Sequence, residues 1–111
     1  MDPDDWTPAD PEALYRQLMA QDPQSTLPRF SLAKLCVEHG RFPEALDLLR
    51  SCVALQANWA AAWLLLGDAL AGAADKAGAR EAYAKCRAAA LAQRHGTLAA
   101  EADEKSDALN D

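Results

Sequence analysis

Residues 63–70 have the sequence WLLLGDAL and residues 79–86 have the sequence AREAYAKC, and these two stretches decide the fold. Self-similarity at a fixed spacing of 20–50 residues is typical of repeat proteins, in which each repeat is one packed supersecondary unit. The chain is therefore predicted to contain two successive copies of one unit. A shift of 34 residues aligns five pairs of similar residues: Leu32 with Leu66, Ala33 with Gly67, Ala45 with Ala79, Leu49 with Tyr83, and Cys52 with Cys86.

The order of residues in the second copy resembles the tetratricopeptide repeat family. Trp63, Leu66 and Gly67 follow its W-x-x-L-G pattern, and Ala79 and Tyr83 follow its A-x-x-x-Y pattern. The chain is similar to short bacterial members of that family, which share its glycine followed by an acidic final helix. The resemblance implies an all-α fold, a stack of antiparallel helix-turn-helix units.

The repeat spacing also predicts how the chain is divided. We expect an acidic, flexible N-terminus at 1–10 and a single domain at 11–109. Within that domain the expected parts are a leading helix at 11–22, repeat one at 26–59, repeat two at 60–93 and a capping helix at 97–109. A polar terminal helix is what a repeat array needs, because each unit buries its apolar face only on its neighbours.

Turn and capping residues predict the individual helix ends. Asp10 followed by Pro11 and Glu12 is a strong helix start, and Thr26 and Thr97 are predicted to cap the second and sixth helices. A glycine at 40 is expected to turn the chain between paired helices, and Gly67 to let a neighbouring helix approach closely. The expected helices span about 11–21, 27–39, 43–55, 59–73, 76–95 and 97–109.

Composition and charge argue against several classes of function. The 111 residues carry a net charge of −6, and five acidic residues lie in 1–12 and five in 101–111, which argues against nucleic-acid binding because phosphates need clustered positive charge. The longest apolar run, from Trp59 to Gly67, is far shorter than the roughly 20 residues that span a bilayer. The N-terminus lacks the basic start and apolar middle of a secretory signal, so no membrane partner and a cytoplasmic location are expected.

The histidines and cysteines do not have the spacing of a catalytic or metal-binding site. His39 and His95 precede glycines and are explained by a favourable contact with a helix C-terminus, and neither has a partner at metal-ligand spacing. Cys36, Cys52 and Cys86 form no CxxC pair and fall where small apolar side chains are expected. We therefore predict no catalytic residue, no cofactor, no metal and no enzyme activity. A reactive thiol at Cys86, beside Lys85, is the minor alternative.

The family resemblance implies that the first helix of each repeat lines a concave groove that binds a protein or peptide. The chain departs from members that grip carboxylate tails, because Phe30 and Lys34 stand where those members have lysine and asparagine. The partner-binding residues predicted here are Phe30, Lys34, Leu64 and Asp68. The full set of inward positions is Leu27, Phe30, Ser31, Lys34 and Val37 in repeat one, and Ala61, Leu64, Leu65, Asp68 and Ala71 in repeat two.

Two alternatives to an open groove remain at this point. The terminal helices can fill the groove themselves. The chain can also be a module that self-assembles into a homo-oligomer, because an incomplete leading repeat leaves an apolar end, with Trp6 and Tyr15 as its anchors. The adaptor function is the main hypothesis, and homo-oligomerisation is the second.

Overall fold

A computed structural model describes residues 10–109, and within that range the chain folds into six α-helices and no strand. The predicted all-α fold is confirmed. The acidic segment 1–9, including Trp6, lies outside the described residues. The helices are α1 (Pro11–Gln21), α2 (Thr26–Glu38), α3 (Phe42–Leu55), α4 (Ala60–Gly72), α5 (Lys76–Ala92) and α6 (Gly96–Asp107).

Successive helices form antiparallel pairs that stack beside one another. The start of α2 lies next to the end of α3, since the Thr26 hydroxyl donates to the side-chain oxygen of Gln56 at 3.0 Å. Among residues 10–109, α2 contacts α4 and α4 contacts α6, whereas no Cα of α3 lies within 8 Å of a Cα of α5. We call the side on which α2, α4 and α6 meet the concave face, and the side on which α3 and α5 lie apart the convex face.

Three helix ends share one turn geometry. Gly40, Ala74 and Arg94 each adopt a left-handed backbone, with φ of 73°, 66° and 62°. The next residue then donates its backbone N–H to the carbonyl five positions earlier, at 2.7 Å from Arg41 to Cys36, 2.8 Å from Asp75 to Leu70 and 2.8 Å from His95 to Ala90. This bond satisfies a carbonyl that the helix end leaves unpaired. The predicted turn at Gly40 is present.

Other helix ends differ from the prediction. Ser25 is the N-cap of α2, and Thr26 lies inside the helix, where its hydroxyl bonds Gln56 instead of capping. Thr97 likewise lies within α6. Because Arg94 takes the left-handed conformation, α5 ends at Ala92 and not near 95. His95 is therefore the N-cap of α6, so the expected contact with a helix C-terminus is wrong for His95.

The core is built largely from residues at equivalent positions of the two repeats. All five aligned pairs from the 34-residue offset are buried, and within residues 10–109 no polar or charged residue is buried. Gly67 packs directly on Tyr83, because a Cβ on Gly67 would lie 2.5 Å from Cδ1 and 2.9 Å from Cζ of the ring. This is the close approach that the sequence predicted. No helix in the described range is long and apolar enough to span a bilayer.

Candidate functional site

The concave face contains the ten positions that the sequence assigned to a groove. All ten remain at least partly accessible to solvent, whereas the intervening positions of the same helices, such as Leu32, Ala33, Leu66 and Gly67, are buried. The helical period accounts for this division, because residues three and four apart share one face of a helix. Helices α2 and α4 therefore present one continuous side-chain surface, which we call the concave groove.

An aromatic pair lies in the repeat-one half of the concave groove. The ring centroids of Phe30 and Trp59 are 4.7 Å apart with an angle of 34° between the rings, within the range of favourable aromatic contacts. Both side chains are only half-buried. The sequence pattern identified Phe30 but missed Trp59, because Trp59 precedes α4 and falls outside the inward positions of a repeat.

A cavity of about 340 Å³ opens beside this pair. Tyr15 of α1 forms one wall, and Phe30, Lys34 and Glu38 of α2 form another. Tyr15, which the self-assembly hypothesis placed at an interface between copies, thus faces the concave groove. Lys34 is exposed and makes no hydrogen bond or ion pair with any other residue of 10–109. Within the described residues, Lys34 is therefore an unpaired cation next to apolar and aromatic surface.

Asp68, in the repeat-two half, already has partners within the chain. It accepts a hydrogen bond of 2.7 Å from the Tyr83 hydroxyl, and Lys105 of α6 lies 3.0 Å from both of its carboxylate oxygens. Burial, followed by the hydrogen bond to Asp68, raises the pKa of Tyr83 well above its usual range. Lys105 lies 37 residues from Asp68 in the sequence, so the residue pattern gave no indication of this contact. The terminal helix α6 thus reaches the groove at one point.

Helix α1 contacts the repeats both through ion pairs and through half-buried apolar side chains that pack on the core. Arg41 bonds both carboxylate oxygens of Glu12, at 2.9 and 3.2 Å, and Arg16 bridges Glu12 and Glu44. Hydrogen bonds from Arg41 and then Arg16 lower the pKa of Glu12 to about 2. No residue of α1 is buried. The wall that Tyr15 contributes to the groove is thus held by these ion pairs together with the packing of α1 on the core.

The described residues offer little for catalysis or metal binding. No group of three or more His, Cys, Asp or Glu side chains within 10–109 could hold a metal ion. Cys36, Cys52 and Cys86 are free and buried. Burial raises the pKa of each thiol, that of Cys52 to about 11, so none is a reactive thiolate near neutral pH. The structure gives no support to the minor alternative at Cys86.

The chain is similar in sequence to known repeat proteins. The sequence profile of the tetratricopeptide repeat matches residues 8–68. A TPR repeat-containing protein of Pseudomonas aeruginosa, PA0015, is 35% identical over 85 residues, which are 77% of this chain and 79% of that protein.

Solved structures resemble the chain over most of its length. Protein BPP2914 of Bordetella parapertussis superposes with a TM-score of 0.78 at 32% identity, over 88% of this chain and 85% of that one. PcrH, crystallised in complex with the chaperone binding region of PopD, gives 0.83 at 21% identity, over 88% and 74%. MamA gives 0.66 at 20% identity, over 89% and 66%; at the identities of PcrH and MamA the likeness concerns the fold alone.

Proposed function

Because the chain belongs to the tetratricopeptide repeat family, we propose that it is an adaptor that binds a segment of a partner protein in its concave groove. Repeats of this family commonly serve as protein–protein interaction modules. The fold alone does not specify a ligand, so the proposal rests on the groove itself. One observation carries it: the partly exposed Phe30–Trp59 pair lies beside Lys34, which has no partner within 10–109.

The aromatic pair supports the proposal because exposed, clustered apolar surface in a concavity is typical of interaction sites. Leu27, whose side chain is 68% exposed, extends this surface on α2, and Leu64 extends it on α4. Burying such side chains against a partner contributes roughly 25 cal/mol per Å² of apolar surface before the costs of association. We assign Phe30 and Leu64 as apolar anchors.

The charges favour a partner segment with at least one acidic residue. Lys34 pairs with no residue of 10–109 and can pair with a carboxylate of a partner, whereas Asp68 is engaged by Lys105 and Tyr83. A basic group of the partner would reach Asp68 only by exchanging with Lys105. In the proposal Lys34 therefore contributes directly to binding, and Asp68 contributes through this exchange.

The structural neighbour PcrH supports a binding function for this type of fold. Its crystal structure contains a segment of another protein, the chaperone binding region of PopD. Repeat proteins of similar architecture can therefore hold a segment of a second chain. The partner of the present chain follows from its own groove and not from that of PcrH.

A capture experiment with matched variants tests the proposal. The wild-type protein and a Phe30→Glu, Leu64→Glu variant are used as baits in native lysate, and bound proteins are identified by mass spectrometry. The control variant, Leu55→Glu and Leu91→Glu, makes the same chemical change at two exposed leucines outside the groove positions. Circular dichroism establishes that all three baits are folded.

Proteins captured by the wild type and the control, and lost only with the groove variant, would support the adaptor function. If all three baits capture the same proteins, the concave groove is not the binding site.

Self-association is a second candidate, favoured by the exposed side of α1. Leu14 and Leu18 are 39% and 38% exposed on a helix that buries no residue, and a further copy can cover them. Sedimentation equilibrium from low to high micromolar concentration tests this candidate. A mass that rises with concentration in the wild type, but not in a Leu14→Glu, Leu18→Glu variant, would support it, and a constant monomer mass would exclude it.

The proposal also covers enzyme activity, other partners and cellular location. We take the protein to be non-catalytic, without a cofactor, and to have no nucleic-acid or membrane partner, in agreement with its net charge of −6. A cytoplasmic location accords with three cysteines that form no disulfide.

A further inference from the structure

The convex face contains a second groove, separate from the concave one. It lies between α3 and α5, which have no Cα atoms within 8 Å of each other, and α4 forms its floor. Its cavity measures about 510 Å³, larger than the 340 Å³ cavity beside Phe30. We call it the convex groove.

The floor of the convex groove is apolar and its walls are low. Trp63, Leu66 and Leu70 of α4 line the floor, and the Trp63 ring is partly exposed. Small residues keep the space between the helices open, with Ala54 on the α3 wall and Ala82 on the α5 wall. Leu66 and Leu70 are buried, so side chains of a ligand in the groove contact mainly the partly exposed indole and Ala54.

A single lysine side chain divides this groove from a neighbouring one. The Lys85 ammonium group lies 5.1 Å from the centroid of the Trp63 ring. A second cavity of about 440 Å³, lined by Trp63, Lys85, Asn58 and Ala88 among others, lies on the other side of that pair. The two cavities are therefore neighbours along α5 that share the Trp63–Lys85 pair as their common wall.

The charges along the convex groove are separated by sign. Arg50 is repeat-equivalent to Ala84, so it lies at the helix level of Lys85, and both are exposed and without an ion-pair partner in 10–109. Asp75, the N-cap of α5, whose carboxylate accepts the Gly78 backbone N–H, and Glu81 lie nearer the start of that helix. Asp75 and Glu81 precede Lys85 by ten and four residues, which is about 15 and 6 Å of helix. The groove thus has an acidic end and a basic end.

We propose that the convex groove binds an amphipathic helix of a partner protein, with an apolar row flanked by acidic residues at one end and basic residues at the other. The apolar row packs on the Trp63 indole and Ala54, and the acidic end pairs with Arg50 and Lys85. The opposite end pairs with Asp75 and Glu81. Charge complementarity of this kind selects a partner and its orientation. This site is additional to the concave groove and does not depend on it.

Two synthetic probe peptides of one composition test the proposal. Each is a helix of roughly 14 residues, or about 21 Å, with the same leucine row. In the split probe all glutamates lie at one end and all lysines at the other, and in the mixed probe the two alternate. Affinity is measured by fluorescence anisotropy, and the site by NMR titration of the full chain.

The split probe should bind at least about tenfold more tightly than the mixed probe and shift the Trp63 indole N–H signal, leaving that of Trp59 unchanged. An Arg50→Glu, Lys85→Glu variant should lose at least about tenfold in affinity for the split probe. An Arg94→Glu variant, with the same kind of charge change at an exposed residue that lines neither groove, should bind as the wild type does.

A steric pair of variants checks the site without changing charge. Ala54→Trp fills the convex groove and should abolish binding, whereas Ala84→Trp, at an exposed α5 position that does not line the groove, should not. The Phe30→Glu, Leu64→Glu variant should keep full affinity for the split probe. A result that contradicts the concave binding site can therefore be told apart from one that contradicts the convex groove.

Equal affinity for both probes, shifts confined to α2, or full binding by Ala54→Trp would each overturn the proposal. A doubled mass in the absence of probe, with the same residues shifted, would overturn it in favour of a second copy in the groove.

Discussion

Replacing Gly67 by alanine should destabilise the protein even though alanine is the better helix former. A Cβ at this position would lie 2.5 Å from Cδ1 and 2.9 Å from Cζ of Tyr83, about 1 Å inside normal carbon–carbon contact. Tyr83 is buried, and its hydroxyl donates to Asp68 at 2.7 Å, so the ring cannot move aside without weakening that hydrogen bond.

The expected loss in the free energy of unfolding combines two costs and one gain. Overpacking a core costs about 1–3 kcal/mol, and loss of a hydrogen bond to a charged group costs about 1.5–3 kcal/mol. The gain in helix propensity returns up to about 1 kcal/mol. We expect Gly67→Ala to lower the free energy of unfolding by about 2–4 kcal/mol, and the melting temperature by roughly 10–20 °C.

Urea and thermal unfolding, followed by circular dichroism, measure this change. Gly96→Ala is the control, because a Cβ on Gly96 meets no atom within 4 Å, and it should be neutral or slightly stabilising. Repeat one has alanine and leucine, Ala33 and Leu49, at the equivalent positions. Gly67→Ala should therefore cost little in a Tyr83→Leu background. An unchanged stability of Gly67→Ala, or an equal cost in both backgrounds, would refute the reasoning.

Three further predictions follow from other parts of the chain. Ala74→Gly should raise the free energy of unfolding by up to about 1 kcal/mol in urea titrations, because Ala74 holds a left-handed backbone that its equivalent Gly40 adopts without strain. The pKa of Glu12 is about 2 in the folded state and about 4.5 otherwise, so the Glu12 contribution to stability is present above pH 4.5 and lost between 4.5 and 2. The protection factors of the α1 amides, which correct hydrogen-exchange rates for the intrinsic slowing of exchange in acid, should fall over that range, and Glu12→Gln should lower them at neutral pH. Cys52, with a pKa of about 11, and the other two cysteines should resist iodoacetamide in the native protein and react after unfolding, whereas labelling of a native thiol would contradict the burial described here.

The repeat period was enough to predict the pairing of helices and most of the core. Positions 34 residues apart, such as Leu32 and Leu66, are both buried because equivalent helices present equivalent faces. The role of Gly67 was also predictable, since a glycine inside a helix has a cost that close packing explains. Local chemistry correctly placed the start of α1, where Asp10 accepts the Glu12 backbone N–H at 3.0 Å.

Features that depend on distant contacts were not predictable. The partners of Asp68 are fixed by how α6 stacks on α4, which no residue pattern in α4 encodes. The end of α5 was misplaced because Arg94, a residue with no preference for the left-handed region, adopts it there. The hydrogen bond from His95 to Ala90 offsets that strain. The polarised charges of the convex groove emerge only when α3 and α5 are placed side by side.

Each helix contacts only helices close to it in sequence, and this local pattern of contacts should make folding fast. Every contact between described helices joins neighbours or next neighbours along the chain. Few long loops must close before native contacts form, and topologies of this kind fold within microseconds to milliseconds. Repeat arrays can also begin folding at one unit and extend outward. The α4–α5 pair, with its large buried surface, is the natural starting point, and α1, which buries no residue, should dock last and leave first.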